Sequence, residues 1–290
     1  MKVLVTGGAG YLGCVFVWRL LEAEFMDVTV VDPLRHKRKG IAGLLRYKNL
    51  QFIQADAMEV EIDHYDFIVN LAALSGEPAC RRHKEMVLPL NVTLPLRLAK
   101  DMAEDQFLVQ ASTTAVYGDA RGKYIDRMRP APPQKLGRYA ASKLLVDVEL
   151  IGRPNVAIVR IPTMFGVSPA MRTGMLIHDM CEQAITYGKV VLYGAVQSRR
   201  PIGHVDGVAS AMFEIMHKAQ AGIHILAGEN LTKMEIADRV AKAAGVEVVL
   251  EQRQDMQVQD HAVQNTNLRR FLAPSLGRIL QAYRMLTCYR

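Results

Sequence analysis

Tyr139 and Lys143 are the two residues of this chain whose types and spacing point most clearly to chemistry. Side chains four residues apart are neighbours on a helix face, so this spacing places an ionisable phenol beside an ammonium group. A free phenol, with a pKa of about 10, is a poor base at neutral pH, but a nearby positive charge favours the phenolate. The pair therefore predicts proton-transfer chemistry. The alternative is an amphipathic helix with a buried tyrosine and a solvated lysine.

A glycine-spaced segment, residues 6–13 with the sequence TGGAGYLG, stands near the start of the chain between an apolar run and a helix-like stretch. Gly7 permits a tight reversal, Gly10 lets the backbone approach a pyrophosphate, and Gly13 lets the helix pack closely on the strand. The helix N-terminus adds a positive field. An ordinary strand-to-helix turn is the alternative, but the flanking strand and helix are the context that a dinucleotide site requires.

Two carboxylates follow the next predicted strands. Asp32, about twenty residues beyond the turn, can accept hydrogen bonds from the adenosine ribose hydroxyls. It favours NAD, because it would repel a 2'-phosphate, although Arg35 and Lys37 are near enough in sequence to weaken that preference. A turn-forming role for Asp32 is the alternative. Asp56 is predicted either to contact the adenine edge or to cap a helix.

The elements that must position these residues alternate through the first half of the chain. Short apolar, β-branched runs separate amphipathic patterns, which predicts an α/β fold with a doubly wound parallel sheet covered by helices on both faces. After about residue 166 the pattern loosens, so we expect a smaller C-terminal lobe. The predicted strands are 3–5, 28–31, 52–53, 67–71, 107–110 and 156–161, and the predicted helices are 14–21, 88–102, 139–151, 175–187, 205–219 and 233–244. Residues 252–264 are interpreted as a surface connection.

Composition narrows the function classes. Half of the residues are hydrophobic, and no apolar run approaches the roughly 20 residues that span a bilayer, so we predict a globular, cytoplasmic protein without a membrane partner. The four scattered cysteines indicate reduced thiols rather than a disulfide framework or metal site. The net charge of +7 leaves nucleic acid open, but no nucleic-acid motif accompanies it, and none is predicted as a partner. The basic run 35–39 is interpreted as a solvated loop, with an adenosine-side contact or a partner patch as alternatives.

The order and spacing of these motifs resemble those of the extended short-chain dehydrogenases/reductases, in the branch of nucleotide-sugar epimerases and dehydratases that is UDP-galactose 4-epimerase-like. The resemblance covers nearly the whole chain. Its further matching segments are 70–73 (NLAA), Asn91, 111–118 (ASTTAVYG), 160–166 and 200–206 (RPIGHVD). It implies a Rossmann-type NAD-binding domain over 1–167, to which the chain returns around 195–220, and a small substrate-binding lobe over 168–290.

The resemblance assigns the catalytic roles. Tyr139 would act as general base or acid on a sugar hydroxyl, and Lys143 would hold the nicotinamide ribose. Thr113 would bridge the substrate oxygen and Tyr139, although the assignment could slip to Ser112 or Thr114. Hydroxyl groups that only satisfy the strand end are the alternative for all three.

The resemblance also implies NAD as cofactor, a nucleotide sugar as substrate and no metal. Besides Tyr139 and Lys143, the cofactor-binding positions are Gly7, Gly10, Tyr11, Leu12, Asp32, Asp56, Ala57, Leu71, Ala72, Ala73 and Pro162. The substrate-binding positions are Thr113, Thr163, Arg172 and Arg200. Arg200 would pair with the nucleotide diphosphate, assisted by Arg172, because a guanidinium suits phosphate oxygens. Surface charge is the alternative for Arg200.

Some positions depart from the family pattern. Dehydratases of the family place Asp and Glu where this chain has Thr114 and Ala115, and neither of these side chains can eliminate water. Asn70 replaces a frequent histidine, and Thr163 replaces an asparagine near the nicotinamide, which leaves the sugar open.

These observations favour an NAD-dependent nucleotide-sugar 4-epimerase that works through a transient ketosugar. The alternatives are an NAD(P)-dependent ketosugar reductase, a nucleotide-sugar dehydratase or a small-molecule alcohol dehydrogenase. A noncatalytic dinucleotide-sensing or scaffold protein is the alternative outside enzymes. The resemblance implies a homodimer formed by the helices at 88–102 and 139–151.

Overall fold

The computed structural model describes residues 1–23, 26–35, 39–125, 129–252, 260–263 and 272–288. Lys37 and most of the predicted connection at 252–264 lie outside these ranges. The strands are β1 (Lys2–Thr6), β2 (Asp27–Val31), β3 (Leu50–Ile53), β4 (Phe67–Asn70), β5 (Phe107–Thr113), β6 (Asp119–Tyr124), β7 (Val156–Ile161), β8 (Thr163–Phe165), β9 (Lys189–Tyr193), β10 (Arg199–His204), β11 (Gly222–Ile225), β12 (Glu229–Thr232), β13 (Glu247–Glu251) and β14 (Asp260–Ala262). The helices are α1 (Tyr11–Glu22), α2 (Lys39–Ala42), α3 (Glu77–Arg82), α4 (Lys84–Leu88), α5 (Leu94–Asp101), α6 (Arg138–Leu150), α7 (Leu176–Tyr187), α8 (Val205–His217), α9 (Lys233–Ala244) and α10 (Leu272–Cys288).

Seven strands form one parallel sheet in the order β11-β7-β5-β4-β1-β2-β3. Successive side chains of a strand point to opposite faces, and β1 shows both faces in use. Val3 and Val5 pack in the cluster that contains α1 and α8, while Leu4 packs with the apolar residues of α5 and α6. The sheet is therefore covered by helices on both sides, as the alternating sequence pattern predicts.

A second hydrophobic cluster forms the core of the C-terminal part. It joins one face each of α7, α9 and α10 with strands of two smaller sheets, β12-β10-β8 and β13-β9. Between these parts the chain returns to the large sheet, because α8 packs on α1 and β11 pairs with β7. The division into lobes at residue 167 stays a prediction.

Most predicted helices are present with shifted ends. The helices predicted at 139–151, 175–187, 205–219 and 233–244 correspond to α6, α7, α8 and α9. The helix predicted at 88–102 corresponds to α5 preceded by a π-helical turn, Pro89–Thr93. The helix α10 was not predicted. In the part of the chain that the structure describes, we find no helix with the length and apolar character needed to cross a bilayer.

Candidate active site

The glycine turn joins the end of β1 to the first turn of α1. Gly7 has a φ of +70°, and a Cβ at this position would lie 2.6 Å from the backbone nitrogen of Ala72, so a side chain does not fit. Gly10 stands at the N-cap of α1, where no side chain accepts a hydrogen bond from the helix. The N–H groups of the first turn are thus uncapped, and such groups favour an anion.

The predicted cofactor positions gather at one edge of the large sheet, because each follows the carboxyl end of a parallel strand. They are Gly7, Gly10, Tyr11 and Leu12 after β1, Asp32 after β2, Asp56 and Ala57 after β3, Leu71, Ala72 and Ala73 after β4, and Pro162 after β7. Ligands of open α/β sheets bind in the crevice at this edge. Thr113, the last residue of β5, lies at the same edge.

The two predicted carboxylates are held differently. Asp32 accepts hydrogen bonds from the backbone N–H of Ala9 (3.1 Å) and of Leu34 (2.8 Å), so its carboxylate lies against the glycine turn with capacity for further donors. Asp56 accepts from the N–H of Met58 (3.1 Å), capping a short 3-10 turn, and pairs with Arg35 at 3.3 Å. The capping alternative for Asp56 is therefore realised. Uncapped N–H groups beside a carboxylate that can accept further hydrogen bonds fit a dinucleotide.

Gly13 offers a direct test of the turn. A Cβ there would collide with backbone atoms of Gly7 and Gly8, and backbone atoms cannot move aside as the end of a flexible side chain can. We expect Gly13→Ala to weaken NAD binding by at least about tenfold, which corresponds to about 1.4 kcal/mol. The measurement is calorimetric titration with NAD. Gly43→Ala is the matched control, because a Cβ there meets nothing within 4 Å, and equal affinities of the two variants would contradict the assignment.

Tyr139 lies in the first turn of α6 within a cluster of polar side chains. Its hydroxyl lies near the side chains of Thr113 and Ser75, which lower its pKa, and Arg172 lies within electrostatic range. Thr113 Oγ1 also accepts from the N–H of Ala115 at 3.2 Å, which fixes its position at the strand end. The structure thus brings Thr113, rather than its neighbours in sequence, to Tyr139.

Burial controls the acidity of this phenol. Loss of hydration raises the pKa of Tyr139 above its ordinary value, whereas the side chains of Ser75 and Thr113 and the charge of Arg172 act in the opposite direction. The protein's own residues do not lower this pKa by themselves, because desolvation of the phenolate outweighs their stabilising effect.

Hydrogen bonds through Glu77 and Asn91 connect the start of α6 with the segment that follows β4. Glu77 Oε2 accepts from the backbone N–H of Tyr139 at 3.0 Å. Asn91 contacts Leu74 through both side-chain atoms and donates to Ser142 Oγ at 3.1 Å. Ser142 in turn donates to the carbonyl of Tyr139 at 2.7 Å. Both the backbone N–H and the carbonyl of Tyr139 are therefore held by hydrogen bonds with side chains.

Lys143 lies one turn below Tyr139 and is only 3% exposed. Its Nζ donates to the carbonyl oxygen of Ala111 at 3.0 Å. Burial lowers the pKa of Lys143 to about 8, while the negative charge of Asp147 acts in the opposite direction. The structure therefore places the ammonium on the same helix face as the phenol, as the spacing predicts.

The lowered pKa of Lys143 predicts a pH dependence of stability. Unfolded Lys keeps its proton up to about its ordinary value of 10.5, so between pH 8 and 10.5 the unfolded chain binds more protons than the folded one. The free energy of unfolding of the wild type should then rise across this window relative to Lys143→Met, by about 1–3 kcal/mol. Urea unfolding at about pH 7 and about pH 10 measures this. Lys84→Met, a change at an exposed position, should show the same rise in the free energy of unfolding as the wild type. The same rise in Lys143→Met would contradict the expectation.

A buried ion pair continues the same helix face. Asp147, one turn beyond Lys143, accepts from Arg160 Nε of β7 at 2.9 Å, and the two side chains are only 2% and 5% exposed. Arg160 Nη1 also donates to the hydroxyl of Tyr117 at 2.7 Å. This pair ties α6 to β7 directly beneath the candidate catalytic residues.

The two arginines assigned to the diphosphate have different neighbours in the structure. Arg172, in the loop between β8 and α7, donates to the carbonyl of Ser75 and lies in the Tyr139 cluster. Arg200 lies on β10 and interacts electrostatically with the buried His261. Thr163 is a partly buried residue at the start of β8. The binding roles of all three stay predictions.

Sequence reasoning missed Ser75 and Glu77. Neither belongs to a helical or strand pattern that points at Tyr139, and the only available signal was their position shortly after the carboxyl end of β4. Asn70, noted as a departure, has a structural explanation: it accepts from Thr6 Oγ1 at 2.6 Å and donates to Gln110 Oε1 at 2.8 Å. Its amide therefore links three adjacent strands in the sheet interior.

Residues 3–228 match the family model described as NAD dependent epimerase/dehydratase family. The chain belongs to this family. Membership confirms three predictions from the sequence: the extended short-chain dehydrogenase/reductase resemblance, enzymatic function and NAD as cofactor. It gives the chemistry at the level of the family.

Individual relatives are distant. The chain is 29% identical over 261 residues to the low-salt glycan biosynthesis protein Agl12 of Haloferax volcanii, covering 84% of this chain and 83% of that protein. It is 24% identical to an uncharacterised UDP-glucose epimerase, YtcB, of Bacillus subtilis, covering 86% and 84%. Among solved structures, UDP-N-acetylglucosamine 4-epimerase from Methanobrevibacter ruminantium superposes with a TM-score of 0.85 at 19% identity, covering 98% of both chains. This likeness confirms the Rossmann-type fold.

Proposed function

We propose that this protein is an NAD-dependent nucleotide-sugar 4-epimerase. The observation that carries the proposal is that Tyr139 and Thr113 lie together at the sheet edge that also bears the glycine turn. Relatives of the chain include an uncharacterised UDP-glucose epimerase, and a structural neighbour is a 4-epimerase, which supports the substrate class.

The proposed reaction assigns one task to each residue. Tyr139 takes the proton of the sugar C4 hydroxyl and later returns it to the carbonyl oxygen. Thr113 would hold the same sugar oxygen, because its side chain lies beside the phenol. Lys143 places a positive charge one turn away, which favours the phenolate formed during proton transfer.

The cofactor is assigned to the glycine turn and Asp32. The uncapped N–H groups of α1 would hold the pyrophosphate, Asp32 would hold the adenosine ribose, and Lys143 would hold the nicotinamide ribose. Bound NAD supplies a hydride acceptor and donor for the sugar carbon and adds positive charge near the phenol. The other assigned contacts are those of Tyr11, Leu12, Ala57, Leu71, Ala72, Ala73 and Pro162.

The side chains at positions 114 and 115 favour epimerisation over dehydration. Loss of water needs an acid for the departing hydroxyl and a base for the neighbouring carbon proton. Thr114 and Ala115, which follow Thr113 in a buried 3-10 turn, carry neither group.

For substrate binding, Arg200 remains the proposed partner of the diphosphate, and Thr163 is a proposed sugar contact.

The experiment that tests the function uses nucleotide sugars deuterated at C4, with UDP-glucose first. We expect the NAD-loaded protein to form the C4 epimer with the deuterium retained at C4, detected by NMR, and without net change in cofactor. A 4-keto-6-deoxysugar product would identify a dehydratase instead. Stoichiometric cofactor turnover would identify a reductase or alcohol dehydrogenase, and no chemistry with intact NAD binding would favour the noncatalytic alternative.

We also propose that the protein is a homodimer. Four apolar side chains, Leu88, Leu145, Val148 and Ile151, are exposed at the end of α4 and along α6, where the resemblance places the dimer interface. We expect the wild type to run as a dimer in light scattering and the double variant Leu145→Glu, Val148→Glu to run as a monomer. Leu250→Glu, at another exposed apolar position, should remain dimeric. A monomeric wild type would contradict the proposal. The cytoplasmic location stays a prediction.

A further inference from the structure

The Arg172 guanidinium is a cation without a counter-ion in the described structure. It donates one hydrogen bond, to the carbonyl of Ser75, and no described carboxylate lies within 4.0 Å of it. Asp179 is in electrostatic range, but its Oδ1 accepts from the N–H of Gly174 at 2.6 Å. A guanidinium carries five N–H donors, and a partly buried one is stabilised by an anion that accepts from several of them.

The main chain at Arg172 is firmly positioned. Its carbonyl oxygen accepts from His178 Nδ1 at 3.0 Å and from the Tyr283 hydroxyl at 3.4 Å. His178 Nε2 lies 3.5 Å from the hydroxyl of Tyr11, which donates to the carbonyl of Gly166 at 2.8 Å. The loop that carries Arg172 is therefore held by α1, α7 and α10 together. A side chain on such a support is suited to recognition of a ligand group at a defined place.

Ser75 connects Arg172 with the reacting end of the site. Its carbonyl accepts from Arg172, and its side chain lies near the Tyr139 phenol, on which it acts. A ligand that contacts both Tyr139 and Arg172 would therefore present its anionic group near the sugar carbon whose hydroxyl meets Tyr139. In a nucleotide sugar the diphosphate is attached at C1, across the ring from C4, whereas the substituent of C5 is adjacent to C4.

We propose that Arg172, supported by Ser75, binds a carboxylate on C5 of the sugar, so that the preferred substrate class is a nucleotide-linked uronic acid. The inference deepens the proposed function and rests on it, because the placement of C4 at Tyr139 defines the placement of C5. It also replaces the sequence-based assignment of Arg172 to the diphosphate, which remains with Arg200. A carboxylate matches the fork of guanidinium donors in a bidentate pair.

The test compares two ligands that differ only at C6, UDP-glucuronic acid and UDP-glucose, by calorimetric titration of the NAD-loaded protein. We expect the wild type to bind the uronic acid at least about tenfold more tightly, and Arg172→Gln to reduce this preference to within about twofold. Arg200→Gln is the matched comparison, because loss of a diphosphate contact weakens both ligands by the same factor. Arg172→Lys keeps the charge without the fork and should retain part of the preference, which guards against a folding defect in Arg172→Gln.

Each outcome decides the assignment. Equal affinities for the two ligands in the wild type, or equal weakening of both by Arg172→Gln, would overturn it. A preference that depends on Arg172 supports it even when neither sugar is epimerised, and that result would contradict only the proposed function. Turnover of UDP-glucose without any preference would overturn the carboxylate assignment and leave the proposed function standing. A wild type that binds neither ligand would overturn both.

Discussion

Replacing Tyr139 with Phe is expected to lower nucleotide-sugar turnover by about 10³-fold while leaving NAD affinity unchanged. The substitution removes one oxygen, and that oxygen is the proposed proton acceptor. The ring remains to pack against the apolar cluster of Leu74, Cys80 and Val87, so the fold around it should be preserved. Initial rates of epimer formation and calorimetric titration with NAD measure the two effects separately.

Tyr124→Phe is the matched control for this prediction. Tyr124 is exposed at the end of β6, so the loss of its hydroxyl should change turnover by less than about twofold. Retention of more than about a tenth of the activity by Tyr139→Phe would contradict a proton-transfer role. Parallel loss of NAD binding would instead indicate that the phenol mainly supports the cofactor site.

The second large effect is expected at Asp147. Asp147→Ala leaves the Arg160 guanidinium buried without its carboxylate partner, and breaking such a pair costs about 3–5 kcal/mol. We expect the free energy of unfolding in urea to fall by this amount. The loss arises from an uncompensated charge rather than from a missing attraction, so removal of both charges should be much less harmful.

Two further variants examine that explanation. The double variant Asp147→Leu, Arg160→Met should recover more than half of the lost stability, because hydrophobic residues of comparable shape replace both charges. Glu214→Ala breaks the exposed pair with Lys218, and we expect a change within about 1 kcal/mol. If Asp147→Ala lowers the free energy of unfolding no more than Glu214→Ala does, the buried pair does not stabilise the contact between α6 and β7.

The large sheet could be predicted from the sequence because its strands are buried on both faces. Their β-branched runs, such as 156–161, differ clearly from the helical periods between them. The helix α10 could not be predicted in the same way. Its described apolar residues are buried in the cluster that α10 shares with α7 and α9, and such tertiary contacts are not visible in a local pattern.

Some residues of the candidate site could be found from the sequence, and others only from the folded structure. Tyr139 is found from its spacing to Lys143, and Thr113 from the resemblance to the family motif at the end of a predicted strand. Ser75 and Arg172 lie in loops, and only the folded chain brings them to the phenol. The acidity of Tyr139 shows the same limit: spacing reveals the neighbouring ammonium, but the cost of desolvation depends on burial, which is a property of the whole fold.

The most direct test of the proposed role of Tyr139 is rapid mixing of the NAD-loaded protein with a nucleotide sugar that it epimerises, while the absorbance of the reduced nicotinamide is followed. We predict a transient signal that appears before the product and decays as the epimer forms, and that is lost in Tyr139→Phe. Epimer formation by the wild type without any transient reduction, or an undiminished transient in Tyr139→Phe, would contradict the account.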